Sequence, residues 1–260
     1  MAQTASTSSS ITDAAVRQQW IEVQARLASS RTATDDIAFS VPPQADGPWQ
    51  GLRLIGGVDV SFVENTDEGV GCLAILEFPS FKVLYTDMVR VTLSLPYIPG
   101  FLAFREASVF QTLLDNLKQR APELYPQVLF VDGNGILHPR KFGSACHLGV
   151  LEDIPTIGVG KNFLQISHEN LRMQEVKARR NELKQAGDYF DIIGSSGFIY
   201  GAALRASNDS INAIYVSPGH RVSHETAIKL TIRCCKFRVP EPIRAADGLS
   251  RAYIRAHPSG

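Results

Sequence analysis

Four charged residues in this chain sit where backbone signals put side chains to chemical use. Asp132 closes the apolar run Val128-Leu129-Phe130-Val131, which reads as a buried strand. Gly133-Asn134-Gly135 follow at once and allow a sharp turn or a close approach by a ligand. His138, Pro139, Arg140 and Lys141 come next. A carboxylate at a strand end, beside a glycine-rich loop with basic residues, suits a metal and phosphate site. It equally suits a strand cap leading into an ordinary turn. Asp59 lies mid-strand in Gly57-Val58-Asp59-Val60-Ser61. Burying a carboxylate unpaired is costly, so Asp59 must face solvent, a partner cation or a metal. Glu106 lies one turn before Phe110, at the edge of a helix's apolar stripe, and points towards the sheet. Lys161 ends the short run Thr156-Ile157-Gly158-Val159-Gly160. Lysines are usually solvated, but the carboxyl end of such a strand is where open α/β sheets bind ligands.

The elements that must position these residues follow from turns and periodicity. Segments 52–62, 69–78 and 81–93 are joined by short turns and read as an antiparallel meander. Residues 101–120 form a helix with Ala103, Ala107, Phe110, Leu114 and Leu117 as its core stripe. The strand to Asp132, a helix over 141–152 and the strand 156–160 make a parallel βαβ unit, which brings Lys161 beside Asp132. Three antiparallel strands leading into a parallel βαβ predict one mixed α/β domain of ribonuclease H-like arrangement, its sheet flanked by helices. In that topology the strands of Asp59 and Asp132 are neighbours, and Glu106 enters from the helix packed across them. Three converging carboxylates repel unless cations lie between them. Hard oxygen ligands favour Mg²⁺, with Mn²⁺ able to substitute.

Outside this framework, residues 1–11 read as a disordered tail. Residues 12–51 read as a helix capped by Thr12 or Asp13, with the stripe Val16, Trp20, Val23 and Leu27, then an irregular connection. The helix is expected to be an appendage to the catalytic body at 52–256. Pro96-Tyr97-Ile98-Pro99-Gly100 is a stiff element, read either as a packed loop or as a wedge that parts stacked bases. Residues 165–187 carry both charge signs and read as a solvent-facing helix or mobile excursion. Two short β segments flank Gly194-Ser195-Ser196-Gly197, and 210–217 reads as another strand. His220 falls in the turn before a helix capped by Ser223, where a lone histidine is more often structural than catalytic. Residues 240–256 suggest a terminal helix with a basic side.

Composition narrows the class. The 260 residues carry a net charge of zero, so any basic footprint must be local. The four cysteines contain no CxxC pair, and Cys234 and Cys235 are adjacent, which argues against zinc and against structural disulfides. An intracellular location, in cytoplasm or nucleus including the nucleolus, is expected. No apolar run is long enough to span a bilayer.

As a set, and in this order, 57–61, 96–106, 131–135, 138–140, 145–150, 158–161 and 219–221 resemble the endonuclease V family over about residues 52–238. Asn134, where bacterial members usually carry Gln, and the runs 146–150 and 231–242 resemble its eukaryotic members. Gly160 stands where many members have Ala. The resemblance implies that Asp59, Glu106 and Asp132 hold Mg²⁺ and that Lys161 stabilises phosphate charge. It implies that His220 lies near the attacking water or a second metal, and that Pro96, Tyr97, Ile98 and Pro99 form the strand-separating wedge. Gly100, Leu102, Gly133, His138, Gly143 and Leu164 would shape a pocket for a flipped hypoxanthine. Arg140 and Lys141 would contact phosphate, and Asn134 could sense a 2′-hydroxyl. The implied activity is cleavage of inosine-containing single-stranded RNA at the second phosphodiester bond 3′ to inosine, by a monomer. A deoxyinosine-specific DNA repair endonuclease, a non-cutting inosine-RNA binder and another ribonuclease H-like activity are the alternatives.

Overall fold

The computed structural model describes residues 5–92 and 98–257. Strands β1 (Leu54–Phe62), β2 (Glu68–Glu77) and β3 (Val83–Thr92) form the expected meander. Helix α2 (Leu102–Arg120) crosses back, β4 (Val128–Asp132) pairs parallel to β1, and α3 (Ser144–Glu152) leads to β5 (Thr156–Gly160), parallel to β4. Past β5 the sheet turns antiparallel again through β6 (Tyr189–Ile193), β7 (Ile199–Leu204) and β8 (Ile214–Pro218). The eight strands lie in the order β3-β2-β1-β4-β5-β8-β7-β6. This is the single-domain mixed α/β sheet that the sequence pattern predicts, extended by an antiparallel flap.

Both faces are covered. Val58, Leu73, Leu129 and Val131 pack against Phe110, Leu113 and Leu114 of α2 and Leu148 of α3. The other face, with Ile55, Val128 and Phe130, packs against α5 (His224–Cys234) and α6 (Glu241–Ala256). The Ser223 hydroxyl caps α5 by accepting from the Thr226 amide, a contact worth about 1 kcal/mol. Helix α6 can lie on β1 only because Gly57 has no side chain: a Cβ there would come within 2.1 Å of the Pro242 carbonyl oxygen. Among the described residues no helix is long and apolar enough to cross a membrane.

Three expectations need correction. Helix α1 spans Ala5–Ala28, so it starts ahead of Thr12 and takes in much of the segment read as a tail. Residues 5–12 contain no Gly or Pro, and the cost of Ser and Thr in a helix is only a few tenths of a kcal/mol each. The helix is also no appendage: Trp20 stacks on Phe104 of α2 at 4.9 Å, and the buried Gln24 reaches the sheet's upper end. Finally, residues 165–187 fold as short turns around α4 (Met173–Ala178). Their apolar Leu171, Val176 and Leu183 cover Phe190, Ala203 and Tyr215 of the flap. Their spacing follows 3-10 turns and one short helix, so no α-helical stripe marks it.

Candidate active site

The register sets the centre of the site. Val58 pairs with Val131, so Asp59 and Asp132 come next on adjacent parallel strands and share a hydrogen bond. Both point to the α6 face, and Glu106 reaches the same end from the first turns of α2. Asp59 and Glu106 are each 5% exposed. Burial, the hydrogen bond with Asp132 and that residue's charge push Asp59 up to about 8. Burial, then Asp59 and Asp132, push Glu106 up to about 8 as well. Lys161 stands at the end of β5 with Nζ 2.7 Å from Asp132 Oδ2. Burial alone would lower it, but Asp132, Asp59 and Asp247 hold it above its ordinary value. Lys161 is therefore a fixed cation near neutral pH, suited to neutralising phosphate charge rather than removing a proton.

Sequence reasoning missed Asp247. It sits on α6, 3.7 Å from Lys161 Nζ, and its charge adds to the load on Asp59. Its pairing with Arg251 four residues on, at 2.9 Å, reads in sequence as a surface helix pair. The usable signal was Gly57, which admits a helix, together with the buried Ala246 and Ser250 beside Asp247. Ser250 Oγ lies 2.7 Å from Ser61 Oγ, and Ser61 donates to Asp59 Oδ2 at 3.3 Å, which stitches α6 to β1 at the site.

Four carboxylates in an all-oxygen set, two of them unable to ionise together cheaply, match a hard divalent cation in donor chemistry. No group of three potential ligands among the described residues is already drawn into a coordination shell. The lysine ammonium and the Asp59–Asp132 hydrogen bond balance the charge in the arrangement seen.

Beside the carboxylates, Gly100, Leu102, Gly133, His138, Gly143 and Leu164, the six residues expected to shape a base pocket, line one small cavity together with Asn134. Gly100 adopts φ +83°, a left-handed turn that lets its carbonyl face inward. His138 Nε2 donates to that carbonyl at 3.0 Å, because Nδ1 already accepts from the Arg140 amide. Burial, then the Arg140 charge, push His138 down to about 4, so it is neutral. Asn134 leaves Oδ1 buried with no partner among the described residues, an acceptor available to a ligand. Gln24, unforeseen in the sequence, closes the pocket from α1 and donates to the Gly100 and Phe142 carbonyls.

Two expected placements differ, those of Arg140 and His220, while Lys141 is exposed with its ammonium beside an aromatic ring. Arg140 does not face solvent for phosphate. Its guanidinium donates to Gln24 Oε1 and to the Gly100 carbonyl and lies over the Phe101 ring, fixing the pocket wall. Lys141 Nζ rests 3.8 Å from the centre of the Phe198 ring. His220 is not at the carboxylates. Its backbone brackets Thr156, the first residue of β5, whereas Lys161 follows the last. At about 3.3 Å per residue the two ends are ~13 Å apart. His220 Nδ1 accepts from the Thr32 amide and Nε2 lies 3.2 Å from Asp153 Oδ1, so it clips the 31–36 connection to the sheet. Ile98 and Pro99 precede the pocket, half-buried and exposed respectively, while Pro96 and Tyr97 lie outside the described residues.

Comparison with known proteins agrees with this geometry. The endonuclease V family model matches residues 36–248. The chain belongs to the endonuclease V family. It is 47% identical over 238 residues to mouse endonuclease V, covering 91% of this chain and 69% of the mouse protein. The crystal structure of the human endonuclease V catalytic domain superposes with a TM-score of 0.85 at 42% identity, covering 93% of this chain and 96% of that one. A Ciona intestinalis endonuclease V bound to a 23mer DNA containing an inosine followed by a ribo-adenosine superposes with a TM-score of 0.83. It is 35% identical and covers 92% of this chain and 97% of that one. As a member of the endonuclease V family the protein is a nuclease that hydrolyses phosphodiester bonds.

Proposed function

We propose that the protein is a Mg²⁺-dependent endonuclease that cuts inosine-containing single-stranded RNA on the 3′ side, one nucleotide beyond the modified base. The observation that carries this reading is the buried carboxylate cluster standing directly beside the Gly100–Gly133 pocket. Leu102 lines both the pocket and the groove that holds Asp59, Glu106 and Asp132. A base held in that pocket has left its stack, which costs least in single strands. Its neighbour's phosphate, rather than its own, then reaches the carboxylates.

The residues divide the work. Asp59, Glu106 and Asp132, with Asp247 behind Lys161, would hold the cation, which supplies Lewis acidity for water activation and for the departing oxygen. Lys161 donates to a non-bridging phosphate oxygen once substrate competes with Asp132 for it. Neutral His138 and Arg140 keep the Gly100 carbonyl in place. The unpartnered Asn134 amide oxygen accepts from the flipped nucleotide. Ile98 and Pro99, with Pro96 and Tyr97 before them, act as the wedge.

RNA is favoured because a ribose 2′-hydroxyl offers both donor and acceptor to backbone groups of the 132–135 loop and to Asn134. The ribo-adenosine after inosine in the Ciona complex fits a ribose at that position. The same complex, whose ligand is otherwise DNA, favours a second reading as a deoxyinosine repair nuclease. Matched single-stranded RNA and DNA, each with one inosine, are compared at fixed salt with Mg²⁺ or EDTA, since phosphate contacts make affinity salt-dependent. A third DNA carries one ribose 3′ to deoxyinosine. The proposal expects fast cleavage of RNA and of the single-ribose strand, with none in EDTA. Equal rates on all-DNA and RNA would establish the second reading, and binding without cleavage would remove both.

A further inference from the structure

A second cleft, of about 220 Å³, opens beyond β5 and has the active-site Lys161 at its edge. Its floor is Tyr215 of β8 and its wall is α4 with Arg180. Four cations line it, Lys161, Lys177, Arg180 and Arg238, and no carboxylate does. In a chain of net charge zero this is a marked local excess.

Lys161 is held by Asp132 and Asp247, but the other three cations have no carboxylate partner among the described residues. Among the described residues the Lys177 ammonium has no hydrogen bond or ion pair. Arg180 makes one 3.3 Å bond, to Asn212 Oδ1. Arg238 is anchored through Nη2 to the Lys161 and Ala213 carbonyls and through Nε to that of Asn212, leaving Nη1 with no partner among the described residues. Tyr215 is 7% exposed overall, and its hydroxyl, with no hydrogen-bond partner among the described residues, is open to the cleft rather than sealed in the core. An open tyrosine hydroxyl, the exposed Lys177 ammonium and the Arg238 Nη1 at one carboxylate-free cleft describe a receptor for an anion that also donates or accepts hydrogen bonds.

The cleft adjoins the active site. Asn162 lines both it and the carboxylate groove, just as Leu102 joins that groove to the base pocket. The three cavities therefore stand in series: base pocket, carboxylates, cationic cleft. We infer that the cleft between α4 and β8 binds the sugar–phosphate backbone of the nucleotides immediately 3′ of the cut bond, with Lys177 and Arg180 on phosphate. This rests on the function proposed above, which sets the inosine in the first cavity and the cut phosphate in the second. The segment 165–187 then serves as a clamp on the departing strand.

The test uses the full chain and K177A/R180A, both checked for unchanged thermal unfolding. Inosine RNAs share one 5′ flank and end either one or eight nucleotides beyond the cut bond. The wild type is expected to show a kcat/KM on the order of tenfold higher for the long 3′ flank, an advantage that the variant loses. In parallel, anisotropy of an inosine-free single-stranded RNA, measured against salt, should show weaker binding by the variant and a slope shallower by ~1–2 phosphates. That arm needs no cleavage, so failure of the nuclease reading would appear as uncut RNA while the cleft is still tested. A retained 3′-flank advantage, a loss equal on short and long RNAs, or a loss following the 5′ flank would overturn the assignment. So would an unchanged salt slope.

Discussion

Asp59→Asn should make the protein more stable while removing its activity, and the gain should depend on pH. Asp59 is pushed from 3.8 to about 8, first by burial, then by its hydrogen bond with Asp132 and that residue's charge. A carboxyl raised in the folded state favours folding while protonated. Its contribution is complete below the unfolded value near pH 4 and is lost as pH rises through about 8. A tenfold change in proton affinity corresponds to about 1.4 kcal/mol, and the rise spans about four powers of ten, which sets a ceiling of roughly 5–6 kcal/mol between those limits. Relaxation around Lys161 and shared protonation with Asp132 reduce this, and ~2–3 kcal/mol is the working figure. Asparagine has no proton to lose. Its amide can still donate to Asp132 and its oxygen can still accept from Ser61. Urea unfolding in EDTA should therefore show the variant ~2–3 kcal/mol more stable than wild type at pH 8 and nearly equal at pH 4.5. A difference that is the same at both pH values, or a variant less stable at pH 8, would refute the reasoning.

Other outcomes follow from the same geometry. Saturating Mg²⁺ should stabilise the wild type at pH 8 by about 2.7 kcal/mol at 100 times its Kd and leave Asp59→Asn nearly unmoved, as read by thermal unfolding with and without the ion. Asp247→Asn should keep the fold and lower kcat at least ~10²-fold, since it unbalances Lys161 at the developing phosphate charge; near-normal single-turnover rates would remove Asp247 from the site. Gly57→Ala drives a Cβ into the Pro242 carbonyl, so it should cost ~1–3 kcal/mol of stability and uncouple Asp247 from Asp59, seen as a kcat loss larger than that of a core variant of equal stability. His220→Ala should cost ~1–3 kcal/mol by unclipping residues 31–36 while leaving kcat near normal, and a large kcat loss in a well-folded sample would return His220 to the chemistry.

Much of the centre was legible because its signals are local. The apolar run before Asp132, the short turns around β2 and the stripe of α2 each name their own element, and register does the rest. Asp247 was hidden because periodicity shows that α6 has a buried face but not which strand that face meets. His220 was misplaced for a related reason. The order of motifs along the chain does not say at which end of a strand a residue lies, and β8 runs antiparallel to β5, so its C-terminal turn sits at the foot of the site's own strand. Arg140 looked like a phosphate ligand because a guanidinium beside a glycine loop usually is one. Only the fold shows Gln24 and the Gly100 carbonyl competing for it.

The dependence of the site on Gly57 and α6 carries over to the way the molecule is assembled. Asp59 stands on the first strand and Asp247 on the last helix, so the contact that completes the cluster joins nearly opposite ends of the chain. Contacts of such separation are the slowest to form. Helix α6 supplies Ile243 and Ala246 to the core under β1, so packing of that face and completion of the carboxylate cluster are one event. Docking of α6 is then the arming step, and hydrogen exchange in that one helix reports whether a given molecule is armed.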